Sequence, residues 1–260
     1  MRLRQRNKKL LAGLLAVGFW LAVWQIASVV VGQEMLLVSP VRACETLISL
    51  MGTGDFYARV ASSFGRILTG FALGLLLGTL LAGLSKAWRF VRTLLAPLMY
   101  TVKATPVASF VILALIWISS KNLSVFIAFL MVLPIVYTNV LAGLDSADTK
   151  LLEMAKVFRL RRRDVLRAIY LPATYPHILA AAKLSLGMCW KAGIAAEVIS
   201  QPRKSIGSAL QLAKLYFDTP QLFAWTLAII LLSIVFERLV LLLIGWLMRK
   251  AEGGAEHDPS

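Results

Sequence analysis

Several charged residues fall inside long apolar stretches of this 260-residue chain, among them Lys103, Lys183, Lys191 and Glu197. Charges at membrane depth are costly, and they usually serve a pathway, a gate or an ion pair. Lys183 and Lys191 are eight residues apart, about two helical turns, so they share nearly one face of a helix. Such cations suit an anionic solute. The structural alternative is that a lysine extends its amine to the membrane boundary and the glutamate joins two helices.

Residue patterns for catalysis or metal binding are missing from the sequence. His177 and His257 are the two histidines, and Cys44 and Cys189 have no metal or redox spacing. The sequence contains no H-E-x-x-H motif and no GxxxxGK[ST] phosphate loop. We therefore expect no metal, no cofactor and no enzyme activity, and an intramembrane protease is a poor alternative.

The apolar content predicts an all-α membrane protein. Apolar residues make up 59% of the chain and charged residues 16%, against about a quarter charged in soluble domains. Six stretches are long enough to cross a bilayer. They are 10–31, 64–84, 94–118, 123–144, 173–200 and 222–248. We predict about six transmembrane helices.

Positive charge is concentrated in alternate connections. Of the 28 Lys and Arg residues, 17 fall in the segments 1–9, 85–92, 145–172 and 249–250. This is the positive-inside pattern of a multi-pass protein of the bacterial inner membrane, with both termini in the cytoplasm. A basic face with interleaved aromatic residues is absent, which argues against a nucleic-acid partner despite the net charge of +15.

The chain divides into three predicted parts. Residues 1–35 form a basic segment and a first transmembrane helix, because the apolar run has no convincing cleavage site. Residues 36–248 form the transmembrane core, and 249–260 form a cytoplasmic tail. Within the core, Gly70, Gly74 and Gly78 lie on one helix face, where we expect close packing inside the subunit.

The connection 145–172 is the longest on the cytoplasmic side. Its apolar residues recur at helical spacing before and after the polar run RLRRRD. This pattern predicts two short amphipathic helices joined by a bend, which would expose an apolar surface. Such a surface either docks another protein or rests on anionic headgroups held by Arg161, Arg162 and Arg163. The residues alone leave these two interpretations about even.

The same connection resembles the EAA loop of ABC importer permeases. Glu153, Met154 and Ala155 stand at the opening of that pattern. The segment Ile169-x-Leu171-Pro172 stands at its close, at the matching distance, and Arg159 occupies the position of the family's glycine. Three further segments resemble the nitrate, sulfonate and taurine permease group, namely SPVRACETL, SSFGRILTGFALGLLLGTLLAGL and AAEVISQPRKSIGSAL.

This resemblance implies a type I, MetI-like permease fold and a non-catalytic transport subunit. Its implied partners are a cytoplasmic ABC ATPase, an extracytoplasmic solute-binding protein, membrane lipids and a second permease copy, as a homodimer. The cargo would be a small solute, with a sulfonate, nitrate or taurine-like anion favoured. A stand-alone channel or secondary transporter is the alternative.

The resemblance also implies an ATPase-coupling role for nine residues of the loop. They are Glu153, Met154, Ala155, Phe158, Arg159, Leu160, Ile169, Leu171 and Pro172. Ala155 is expected where a small side chain permits close approach of the ATPase, with Phe158 and Leu160 as apolar anchors. Glu153 is expected to make a charged contact or to cap the first helix.

Overall fold

Every regular element in the described part of the chain is helical. A computed structural model describes residues 2–253, with side chains at 13 and 15–245. Its α-helices are α1 (Arg2–Val31), α2 (Pro40–Met51), α3 (Gly54–Ala87), α4 (Arg89–Ala104), α5 (Val107–Ala114), α6 (Ser120–Asp145), α7 (Thr149–Val157), α8 (Arg162–Val165), α9 (Leu171–Ser200), α10 (Ile206–Leu215) and α11 (Thr219–Gly253). A π-helical turn, Leu166–Tyr170, joins α8 to α9. The predicted all-α architecture is confirmed.

Four helices within the described residues are long and apolar enough to cross a membrane. They are α3, α6, the continuous helix Arg162–Ser200, and α11 over Thr219–Gly245. Helices α4 and α5 together form a broken fifth candidate, and Leu15–Val31 of α1 is a shorter apolar segment. The first predicted span, 10–31, begins among residues whose side chains are not described, and the predicted tail lies outside the described residues from 254 onward.

The third predicted span, 94–118, is not one straight helix. Helices α4 and α5 meet at an angle of 101°, and Thr105 and Pro106 between them are extended, with ψ of 130° and 135°. A residue before proline is disfavoured in helical conformation, and proline has no N–H to continue the helix. The Thr105–Pro106 pair therefore breaks the span.

The fifth predicted span starts earlier than expected. The helix runs without interruption from Arg162 to Ser200, so the second short helix predicted for the loop is the beginning of this span. The amide of Leu171 donates to the carbonyl of Leu166, five residues back, in the π turn. Pro172 follows at once and has no N–H to offer, which accounts for a widened turn here.

Helix α6 lies at the centre of the bundle between α3 and α9. Close approach of α3 needs its glycines: a Cβ on Gly70 would lie 2.4 Å from the carbonyl oxygen of Val125, and one on Gly74 2.6 Å from the Cβ of Val132. The predicted packing of the glycine row within the subunit is confirmed. We call the end of the bundle near Ala87 and Asp145 the loop end, and the end near α2 and α10 the opposite end.

Candidate functional site

The first helix of the loop, α7, is capped by Asp148. The Asp148 carboxylate accepts a 2.8 Å hydrogen bond from the amide of Lys150, which satisfies one of the free N–H groups of the first turn. Glu153 lies in the middle of α7 and is exposed. The expectation that Glu153 caps this helix is therefore wrong, whereas its charged contact with a partner stays a prediction.

The bend after α7 is built around Arg159. Its φ of 52° is left-handed, its amide donates to the carbonyl of Lys156 at 3.1 Å, and the amide of Leu160 donates to that of Ala155 at 2.9 Å. These two bonds form a Schellman motif, which usually has glycine at the left-handed position. The bend is therefore present with arginine in place of the family's glycine, at a cost of roughly 1–2 kcal/mol.

Ala155 is used inside the loop itself. It is only 4% exposed and clusters with Ala147 and Ile169, with Tyr170 packed beside them. A larger side chain at 155 would separate α7 from the start of α9, because tightly packed interiors tolerate little added volume. The small side chain thus sets the internal packing of the loop, in addition to any role against a partner.

The outer surface of the loop is apolar. Phe158 is 70% exposed, and the exposed apolar neighbours are Leu151, Met154, Val157, Leu160 and Leu166. A pocket of about 780 Å³ opens beside them, lined by Leu152, Ala155, Lys156, Arg159, Leu160, Arg162, Val165 and Tyr170. Leu171 is half-buried and Pro172 exposed where α9 begins. An exposed apolar patch framed by charges is typical of a docking surface.

A second candidate site lies at the break between α4 and α5. A pocket of about 450 Å³ is lined by Val102, Lys103, Ala104, Thr105, Pro106, Val107, Met131, Pro134, Ile135, Thr138, Asn139, Leu184 and Met188. The Lys103 Nζ donates to Thr138 Oγ1 at 3.1 Å. Thr138 and Met131 precede Asp145 by 7 and 14 residues, about 10 and 21 Å along α6. This pocket therefore occupies the middle of the bundle.

The predicted lysines of α9 have different relations to this pocket. Lys191 follows Leu184 by seven residues and so points along the same helix face as Leu184 and Met188, which line the pocket. Lys183 lies about 100° away from Leu184 around the helix. Both lysines are exposed. The two lysines are about 80° apart around α9, so they do not share one face. The structure brings Lys103 and the Lys191 side of α9 to one region and leaves Lys183 beside it.

Glu197 is separate from the lysines, in a buried network at the opposite end. It is 0% exposed. Its carboxylate accepts a 2.6 Å hydrogen bond from Ser63 and a 3.3 Å bond from the amide of Gly207, and lies 3.3 Å from the Nε of Arg66. Ser63 and Arg66 were not recognised as site residues from the sequence, although their spacing of three places both on one helix face.

Gly207 permits this network by the absence of a side chain. A Cβ at this position would lie 2.4 Å from the Cβ of Glu197 and 2.5 Å from its carbonyl carbon. Ser63 also accepts a hydrogen bond from the amide of Ile206, at 3.0 Å. The buried carboxylate therefore ties together α3, α9 and the first turn of α10.

Comparison with known proteins agrees with this architecture. Residues 70–252 match the family described as "Binding-protein-dependent transport system inner membrane component". A probable ABC transporter permease protein of Brucella melitensis is 26% identical, over 92% of this chain and 95% of the relative. A putative aliphatic sulfonates transport permease protein of Bacillus subtilis is 28% identical, over 82% of this chain and 77% of the relative.

A solved structure shares the fold. The crystal structure of an amino acid ABC transporter with histidines contains a chain that superposes with a TM-score of 0.60 at 16% identity. The match covers 78% of this chain and 97% of that chain. The family match covers well over half of the chain, and the helices provide several candidate spans. This chain therefore belongs to the inner membrane components of binding-protein-dependent transport systems, the permeases of ABC importers, and is a multi-pass membrane protein.

Proposed function

We propose that the chain is the permease subunit of an ATP-driven importer, and that its 145–172 loop couples it to a separate ATPase. The observation that carries the proposal is a helix that connects the loop with the mid-bundle pocket. A single continuous helix runs from Arg162 to Ser200, with Ile169 buried in the loop cluster and Met188 lining the mid-bundle pocket. One continuous helix therefore joins the docking loop to the pocket wall.

The continuous helix Arg162–Ser200 could couple the loop to the pocket without a long series of side-chain rearrangements. Ala155 and Ile169 hold α7 against the start of the long helix, so a force on the exposed face of α7 acts directly on α9. Packed helices switch between discrete arrangements rather than deforming continuously. Movement of the loop by an ATPase would then open or close the pocket near Met188, about 25 Å along α9 from Leu171.

The cargo we propose is a small anion of the sulfonate, nitrate or taurine type. Lys103 places an amine at the mid-bundle pocket, and Lys191 adds a cation on the adjoining face of α9. Thr105, Thr138 and Asn139 add polar groups to the same lining, as expected for a passage that replaces water around a solute. The sulfonate permease among the relatives supports this class.

The same role implies a second copy of the chain, an orientation in the membrane and a solute-binding protein. Lys183 and Lys191 are exposed within a span, and charges at that depth are normally covered by protein; a second copy of the chain would cover them. The basic loop end would face the cytoplasm with both termini, in the bacterial inner membrane. A solute-binding protein would deliver cargo at the opposite end.

Uptake by reconstituted vesicles tests the proposal. The chain is combined with its ATPase and binding protein, and accumulation of a radiolabelled alkyl sulfonate is followed with and without ATP. We expect accumulation against a gradient only when ATP and both partners are present. Uptake by the chain alone, without ATP, would instead identify a channel or secondary transporter.

A further inference from the structure

A basic pocket lies at the loop end, outside the sites described above. It has a volume of about 550 Å³ and is lined by Ser85, Lys86, Arg89, Arg92, Thr93, Ala96 and Asp145. Three cations thus surround one carboxylate. Asp145 pairs with Lys86 at 2.8 Å and with Arg92 at 3.1 Å, and Arg89 has no ion-pair partner among the described residues. The pocket therefore carries a net positive charge that no described residue neutralises.

The position of this pocket is at the edge of the apolar bundle. Lys86 and Asp145 stand at the ends of α3 and α6, two of the candidate spans. Trp88 and Phe90, in the corner between α3 and α4, are both exposed. Aromatic residues are enriched where membrane meets water. Exposed Leu84 and Leu94 continue from this corner along α3 and α4. Cations, interfacial aromatic residues and apolar surface therefore lie next to one another.

We propose that this pocket binds the phosphate group of an anionic phospholipid, with the acyl chains along the exposed leucines. Basic pockets between transmembrane helices are suited to such headgroups. The planar guanidinium groups of Arg89 and Arg92 match two oxygens of a phosphate. The lipid phosphate competes with Asp145 for the donors of Lys86 and Arg92, so the carboxylate limits the strength of binding.

The basic pocket lies at the base of the 145–172 loop, so lipid binding there would affect the loop. Asp145 ends α6, and α7 begins at Thr149 after a short connection that contains the buried Ala147. A headgroup that takes donors from Asp145 therefore acts at the base of the docking loop. The binding itself does not depend on transport, so its test remains valid if the proposed cargo is wrong.

The test counts bound lipids. The purified full-length chain is placed in nanodiscs of phosphatidylcholine with increasing phosphatidylglycerol, and retained lipids are identified by native mass spectrometry. Arg89→Gln should weaken phosphatidylglycerol retention about fivefold, the change for one cation lost near an anionic surface. The matched control is Arg203→Gln, an exposed arginine in a basic pocket at the opposite end, which should leave retention unchanged.

A second variant should change phosphatidylglycerol retention in the opposite direction. Asp145→Asn removes the competing charge and should raise retention by a similar factor, whereas a purely structural cluster would give no gain. Equal retention of phosphatidylcholine and phosphatidylglycerol would overturn the proposal. So would displacement of the lipid by millimolar inorganic phosphate, which would identify a free-phosphate site. Loss of ATPase co-purification in Arg89→Gln with unchanged lipid counts would identify a protein contact and also overturn it.

Discussion

Arg66 of α3 and Glu197 of α9 form a buried ion pair, 3.3 Å from nitrogen to oxygen. Neither of these two atoms makes a hydrogen bond to another described residue, so their attraction is one of charge alone. The other carboxylate oxygen is held by Ser63 and by the amide of Gly207. Together these contacts join α3, α9 and α10 at the opposite end of the bundle.

Replacing Glu197 with Gln should destabilise the bundle strongly. The amide can still accept from Ser63, but it leaves the largely buried guanidinium of Arg66 beside no negative charge. The Nη2 of that guanidinium then has only neutral acceptors, Ser62 Oγ and the carbonyl of Lys204. Breaking a buried pair in this way costs about 3–5 kcal/mol, seen as a lower unfolding midpoint in detergent. Glu45→Gln is the matched control. Its pair with Arg42 has the same 3.3 Å distance but is exposed, so we expect a loss of about 1 kcal/mol or less.

Gly207→Ala should damage the same network from the other side. The new Cβ would overlap Glu197 and the following backbone amide nitrogen of Val198, which cannot yield as a flexible side chain would. Thermal unfolding should shift down, whereas Gly65→Ala, with open space around its Cβ position, should be neutral or slightly stabilising. Equal effects of the two changes would show that α9 and α10 are not closely packed here.

Arg159 provides a test of the bend. Arg159→Gly should be tolerated and should stabilise the loop by up to about 1 kcal/mol, because glycine has no penalty for a positive φ. Arg159→Val should be harmful, since a branched side chain is an outlier in this conformation. Hydrogen exchange of the amides of Arg159 and Leu160 measures the effect. Faster exchange in the glycine variant than in the valine variant would contradict the observed turn.

The proposed passage predicts different results for two lysines of α9. Lys191→Met should lower the rate of anion uptake at unchanged assembly, because it removes a cation from the pocket side of the helix. Lys183→Met, about 100° away from Leu184 around the helix, is the control and should have a smaller effect. Uptake assays with a sulfonate cargo distinguish the two. Unchanged uptake with Lys191→Met would remove this residue from the passage, and failed assembly would assign it a structural role.

Much of the fold could be predicted because membrane helices have a simple signal. Long apolar runs and alternating positive loops predicted α3, α6 and α11, and the spacing of Gly70, Gly74 and Gly78 predicted close packing. The sequence also contains a signal for the break between α4 and α5, because Thr105 precedes a proline and such a residue is disfavoured in helical conformation. It was missed because the apolar run continues on both sides, and hydropathy does not register the angle between two helices.

The site was less predictable because its contacts link distant parts of the chain. The apolar spacing of the loop predicted α7, but not that Ala155 is buried against Ile169 within the loop. Glu197 was recognised as unusual, whereas its partner Arg66 lies 131 positions earlier. Only the folded arrangement of α3 against α9 brings them together.

Phe158 gives the most direct test of the central proposal, that the 145–172 loop couples the permease to an ATPase. A charge at Ala155 would not test docking by itself, because Ala155→Asp places that charge inside the buried cluster of the loop and could unfold it. Phe158 is 70% exposed, so truncation should leave the loop folded and remove an anchor worth about 2–4 kcal/mol if it is a binding hot spot. The control is Phe90→Ala, a 77% exposed phenylalanine at the same end.

The decisive measurement is co-purification of the ATPase with each variant, together with ATP hydrolysis stimulated by cargo-loaded binding protein. We predict that Phe158→Ala reduces association by at least about tenfold and abolishes the stimulation, while Phe90→Ala retains both. Retained association and stimulation in Phe158→Ala, with loss instead when Arg161, Arg162 and Arg163 are neutralised, would contradict docking and favour a loop that rests on lipid.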